Sequence, residues 1–138
     1  MLQGWLDGTP STPFELGATE FQRGDALTID RLQLEGEEFE PGATIHIEGR
    51  YELGSREAAT LYLGTTAIVV REASFEEDEP NRMPVLSGSG TFALSHRIPA
   101  RGCPHLTLYD AETGAPFGGI YFGRGESVLH DRDWSYDN

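Results

Sequence analysis

Lysine is absent: all ten basic residues are arginine, set against 23 aspartates and glutamates, for a formal charge of −13. So large an acidic excess opposes polyanions, and neither nucleic acid nor an anionic membrane is expected as a partner. Cysteine is reduced to Cys103 alone, which excludes an internal disulfide framework. Long apolar runs are missing too, and none approaches the ~20 residues that a membrane-spanning helix needs. The first ten residues have neither a basic n-region nor a long apolar stretch, so no signal peptide is expected; a complete chain with one cysteine would then be cytoplasmic. Internal repeats, low-complexity linkers and clear helical periodicity are all lacking.

What is present suits one globular domain. The chain has 138 residues, 38% hydrophobic and 24% charged. A chain of this size buries roughly 68% of its unfolded surface, enough for a core. The organisation expected is an N-terminal arm over 1–24, a β-sandwich over 25–123 and an acidic tail over 124–138.

Alternation with period two, punctuated by Gly and Pro, is the dominant pattern. Over Ala26–Gly36, Leu27 and Ile29 and then Leu32 and Leu34 point inward, with a slip of phase between Ile29 and Leu32 that predicts a bulge. Pro41-Gly42 reads as a turn. Ala43–Leu53 follows with Ile45, Ile47, Tyr51 and Leu53 in phase. Ala58–Gly64 and Thr65–Glu72 are β-branched and aliphatic, although Ser55–Ala59 fits one helical turn. An acidic loop over Ser74–Met83 precedes Gly90–Pro99, where Phe92, Leu94, His96 and Ile98 share a face. His105–Asp110 and Gly118–Gly123 form a last pair across a Gly/Pro-bearing turn. About seven strands at intervals of roughly ten residues predict an all-β, antiparallel β-sandwich.

The stretch Phe39-Glu40-Pro41-Gly42-Ala43-Thr44-Ile45-His46-Ile47-Glu48-Gly49, with Tyr51 beyond it, resembles the second strand of many bacterial immunoglobulin-like domains. Those often carry a Pro-Gly turn, an alternating strand and a Gly before an aromatic. The resemblance implies an immunoglobulin-like sandwich and an adhesive, spacer or accessory role.

The acid is not spread evenly. It crowds at Glu35, Glu37, Glu38 and Glu40, at Glu76, Glu77, Asp78 and Glu79, and in the tail. Residues 92–125 hold three arginines against two acids, a net of +1, which leaves −14 elsewhere. Solubility and salt adaptation both account for such a distribution, as does a site for a cation or basic partner.

Motifs for chemistry are sparse. Leu86-Ser87-Gly88-Ser89-Gly90 lacks the first Gly of a nucleophile elbow and reads as a turn entering a strand. Cys103-Pro104-His105 reads as a small, partly buried thiol beside an unrelated imidazole. None of His46, His96, His105 and His130 forms a metal-binding pair at short spacing, and His96 reads as a satisfied core or rim histidine. Asp131, Asp133 and Asp137 alternate as at the opening of a Ca²⁺ loop. They lack its glycine and would need oxygens from elsewhere, such as Glu76–Glu79; a solvated tail pinned by Trp134 accounts for them equally. Apart from that possible Ca²⁺, no cofactor is expected. An acid-pair hydrolase is an alternative for which spacing nominates no catalytic pair.

The final hairpin permits a sharper expectation. Leu106, Leu108, Ile120 and Phe122 all face inward if Leu108 lies opposite Ile120 and Leu106 opposite Phe122. His105, Tyr109 and Tyr121 then share the outer face, with Arg97 joining from the preceding strand. Such a face suits a protein partner, self-association or a stacked sugar ring, although outer tyrosines also simply cover neighbouring glycines. The function expected is a non-catalytic binding or assembly module acting through that face or an edge strand. A carbohydrate-binding module, with or without assistance from Ca²⁺, is the first alternative.

Overall fold

A computed structural model describes residues 12–67, 81–99, 101–125 and 128. Among these the protein is all-β, with six antiparallel strands and no helix, and its sheet curls into a half barrel. The strands are β1 (Glu15–Glu20), β2 (Ala26–Glu35), β3 (Thr44–Ala67), β4 (Arg82–Arg97), β5 (Gly102–Asp110) and β6 (Pro116–Gly123). The expected separate strands at 43–53, 58–64 and 65–72 are one continuous strand as far as residue 67; residues 68–72 lie outside the described set. One strand was not foreseen. Glu15–Glu20, placed in the N-terminal arm by the sequence, pairs with β6.

β3 organises the molecule. Its first half, from Thr44, lies between β2 and the second half of β4; its last third, Ala59–Ala67, lies between the start of β4 and β5. The change of partner occurs at Gly54-Ser55-Arg56-Glu57, where four residues of β3 stand against Ser87 alone in the register of β4. The helical turn expected near here is thus a strand corner. Asp25 explains it: its buried Oδ1 accepts the Gly54 and Ser55 N–H groups (2.9 and 3.0 Å), and its Oδ2 accepts the Ser55 hydroxyl (2.7 Å). Backbone donors turned out of the ladder are thereby satisfied by a side chain rather than by a helix. On β4 the inward phase changes from Val85 to Phe92 across Gly88, whose φ of +109° few other residues adopt. The Ser-Gly-Ser-Gly run is therefore a mid-strand irregularity, not a turn before a strand.

The inner faces share one core that includes Leu32, Ile45, Ile47, Leu61, Leu106 and Phe122. The phase slip in β2 is a bulge, with Asp30 as the extra residue between Ile29 and Arg31. His96 is buried opposite Ile45, and its Nε2 lies 2.9 Å from the Thr65 hydroxyl. Ahead of β1 the chain crosses β2: the Thr12 N–H donates to the Leu32 carbonyl (2.6 Å), and the Thr12 hydroxyl accepts the Leu34 N–H (3.1 Å).

The last hairpin differs from expectation by two residues. Leu106 lies opposite Ile120, and Leu108 opposite Gly118. A two-residue displacement preserves the side-chain period, so the same four side chains still face the core and hydrophobic pattern alone cannot detect it. The turn sets the register instead. Asp110 Oδ1 accepts the Glu112 and Thr113 N–H groups (2.8 and 2.9 Å), and the Asp110 N–H donates to the Ala115 carbonyl (2.8 Å).

Candidate functional site

β5 has a strand on each side and is buried on both faces from Gly102 to Leu108; only Tyr109 and Asp110 at its end are partly open. This changes the expected outer face. Tyr121 is 2% exposed and His105 8%, so neither belongs to an open, flat platform. They lie instead in a row of rings that crosses three strands. Tyr121 and His105 are 5.2 Å apart by ring centroid, His105 and Tyr62 6.2 Å, and Tyr62 and Tyr109 5.9 Å. At the buried end the Tyr121 hydroxyl is 2.9 Å from that of Thr66, and His105 Nδ1 is 2.7 Å from the Thr107 hydroxyl. Buried polar groups are thus paired rather than presented. Gly64 makes room for the row, because a Cβ there would stand 2.3 Å from the Tyr62 ring.

The open end is a groove of about 430 Å³, within the range of small-molecule sites, lined by Thr60, Tyr62, Arg82, Tyr109 and the turn residues Asp110, Ala111 and Gly114. Tyr62 and Tyr109 meet there at 70°. The Arg82 guanidinium lies 4.9 Å over the Tyr62 ring. Burial pushes the Tyr109 phenol up from its ordinary value; Tyr121 adds to that shift and Arg82 opposes it. Tyr109 is therefore a neutral hydrogen-bonding group at physiological pH.

Arg97 does not join this group. It stands opposite Thr44 at the start of β3, whereas Tyr109 stands opposite Thr60, sixteen positions further along the same strand. The arginine that does join is Arg82, which the sequence placed in an acidic loop. Tyr62 was missed as well. Its signal was its place in the Ala58–Gly64 alternation, on the face opposite Leu61 and Leu63.

Asp110 borders the groove with both oxygens engaged. Besides the two turn N–H groups on Oδ1, Oδ2 accepts Nη1 of Arg56 at 2.8 Å. Arg56 also donates to Gln22 Oε1 and lies 3.6 Å over the Phe117 ring, joining the β3 corner to the hairpin turn. The turn N–H groups first, and Arg56 after them, keep the Asp110 carboxyl below its ordinary value of 3.8. A lowered folded-state pKa means that the stabilisation is present above the unfolded value and is lost as pH falls through the folded one. Asp110→Asn is therefore expected to unfold earlier than the parent near neutral pH, with the gap narrowing below about pH 4. Denaturant midpoints measured from pH 7 to pH 3 would show this, and parallel curves would contradict it.

A second polar row crosses the other half of the sheet. His46 Nδ1 is 2.8 Å from the Ser95 hydroxyl, and its Nε2 is 2.7 Å from Glu35 Oε2. The order is that of a nucleophile, base and carboxylate. None of the three lines the groove, nor the hollows of about 400 and 390 Å³ on that half.

Cys103 is buried, and burial raises its thiol, which makes it a poor nucleophile. Among the described residues no group of three or more His, Cys, Asp or Glu is placed to hold a metal. Asp131, Asp133 and Asp137, with Glu76–Glu79, His130 and Trp134, lie outside the described residues. No helix among the described residues is long and apolar enough to cross a membrane. Comparison with family models, with curated proteins and with solved structures finds no match.

Proposed function

We propose that this protein is a non-catalytic binding module that takes a saccharide ring in the groove between Tyr62, Arg82 and Tyr109. The perpendicular tyrosine pair carries the reading. One ring offers a stacking face for the apolar side of a pyranose, while the Thr60 hydroxyl and the phenols offer hydrogen bonds to its rim. The half barrel would then serve as an immunoglobulin-like scaffold, with the three-stranded part over the five-stranded part and the groove on the outer face of the latter.

A single pyranose of about a dozen heavy atoms at ~0.3 kcal/mol per atom gives about 4 kcal/mol, a dissociation constant near 1 mM. Saturation-transfer NMR with methyl glycosides is expected to show such binding, and Tyr109→Ala is expected to weaken it about tenfold. Arg50→Ala, on the other half of the sheet, serves as the control. Absence of transfer from every glycoside tried, or equal transfer to the Tyr109→Ala variant, overturns the reading.

Assembly through an edge is the second reading. Among the described residues β4 pairs only with β3, and Leu86 on it is 67% exposed. A dimer in sedimentation velocity that Leu86→Glu dissociates supports assembly; a monomer excludes it at the concentrations used.

A further inference from the structure

We propose that the ring taken by the groove carries an apolar alkyl aglycone, and that Pro84 and Leu86 hold it. The proposal rests on the saccharide reading above and specifies its ligand class. The register of the outer face supplies the argument. On β3, Ala58, Thr60 and Tyr62 alternate with the buried Ala59, Leu61 and Leu63, and their partners on β4 are Leu86, Pro84 and Arg82. Thr60 also stands opposite Tyr109 of β5. One row of this face therefore holds Pro84, Thr60 and Tyr109, and the next holds Leu86 and Ala58. Thr60 and Tyr109 line the groove, so Pro84, Leu86 and Ala58 form a strip that continues its surface toward β4.

Burial and charge set this strip apart. Leu86 is 67% exposed, and Pro84 is exposed beside it on the same face. Single exposed leucines are ordinary, but an adjoining pair beside a groove offers apolar area that one ligand can take out of water. No Asp, Glu, Lys or Arg occurs from Met83 to His96, so contact there desolvates no charge of this stretch. Pro84 has no N–H to give to an added strand, which favours side-chain contact with a small apolar group over strand addition. Reach agrees with chemistry. Side chains on one face of a strand are about 7 Å apart, and neighbouring strands about 5 Å. A ring at Thr60 and Tyr109 thus lies one strand spacing from Pro84 and one further step from Leu86, a span for a short alkyl chain.

The experiment compares methyl, propyl and hexyl β-D-glucoside, with hexan-1-ol as the chain without the ring, by saturation-transfer NMR and calorimetry on the full chain. Full burial of a methylene is worth about fourfold in affinity, and an open strip covers only one side of the chain. Hexyl glucoside is therefore expected to bind about tenfold more tightly than methyl glucoside, with propyl glucoside between them and hexan-1-ol weaker than any of the three. Leu86→Ser is expected to reduce the hexyl:methyl ratio to about two or three and to leave methyl glucoside unaffected. Circular dichroism confirms that the variant is folded. Equal binding of the three glucosides, a ratio unchanged in Leu86→Ser, or hexan-1-ol binding as tightly as hexyl glucoside overturns the assignment and leaves the saccharide reading standing. A dimer in sedimentation velocity that Leu86→Ser dissociates also overturns it, because a second copy then covers the strip. Silence from all three glucosides overturns both.

Discussion

Replacing Asp25 by alanine is expected to lower the unfolding free energy by about 3–5 kcal/mol. The figure follows from what the carboxylate holds. It accepts two backbone N–H groups and one hydroxyl at the corner of β3, in a buried position. Removal leaves those donors facing a gap, at about 1–3 kcal/mol for each that water does not reach. Asp25→Asn keeps one acceptor oxygen and is expected to cost about half as much. Denaturant unfolding gives the totals, and hydrogen exchange gives the location: the Gly54 and Ser55 amides should lose protection first. A loss below 1 kcal/mol for Asp25→Ala would mean that some other contact maintains the corner.

Phe122→Ala is expected to cost about 3–5 kcal/mol. Phe122 is fully buried on β6, with Phe14 edge-on at 6.3 Å and Phe39 edge-on at 6.5 Å. It therefore joins the segment before β1, the loop between β2 and β3, and β6. Arg124, two positions on, reaches back to the same loop by donating to the Glu37 carbonyl at 2.8 Å. Truncation removes the ring from three packed elements that cannot all move inward to fill the space. Phe122→Leu retains most of the volume and is expected to cost no more than about 1.5 kcal/mol. Equal losses for the two variants would show that shape matters more than the cavity.

Much of the fold was readable wherever local pattern decided the outcome. The inward set Ile45, Ile47 and Leu53, the shared face of Phe92, Leu94, His96 and Ile98, and the bulge between Ile29 and Leu32 each depend on side-chain alternation within one strand. What alternation does not encode was misread. The β3 corner depends on Asp25, some thirty residues away, so Ser55–Ala59 alone resembled a helix start. The hairpin register depends on the Asp110 turn, and two registers serve the same hydrophobic pattern. β1 escaped notice because only Ala18 of its six residues is buried. Of the residues nominated for binding, Tyr109 lines the groove, Tyr121 and His105 sit beneath the same face, and Arg97 stands elsewhere. The missing partners, Tyr62 and Arg82, meet only through the pairing of β3 with the start of β4, a relation between segments twenty residues apart.

The pairing of β1 with β6 also sets a clock for synthesis. Glu20 leaves the ribosome 103 residues before Gly123, and Glu15 bonds only when Gly123 is available. At about 5–20 residues per second, β1 waits roughly 5–20 s for its partner. During that interval an apolar inner sheet face is uncovered, while Glu35, Glu37, Glu38 and Glu40 have already been synthesised. The net acidic charge of the emerging chain would then keep nascent chains on neighbouring ribosomes apart.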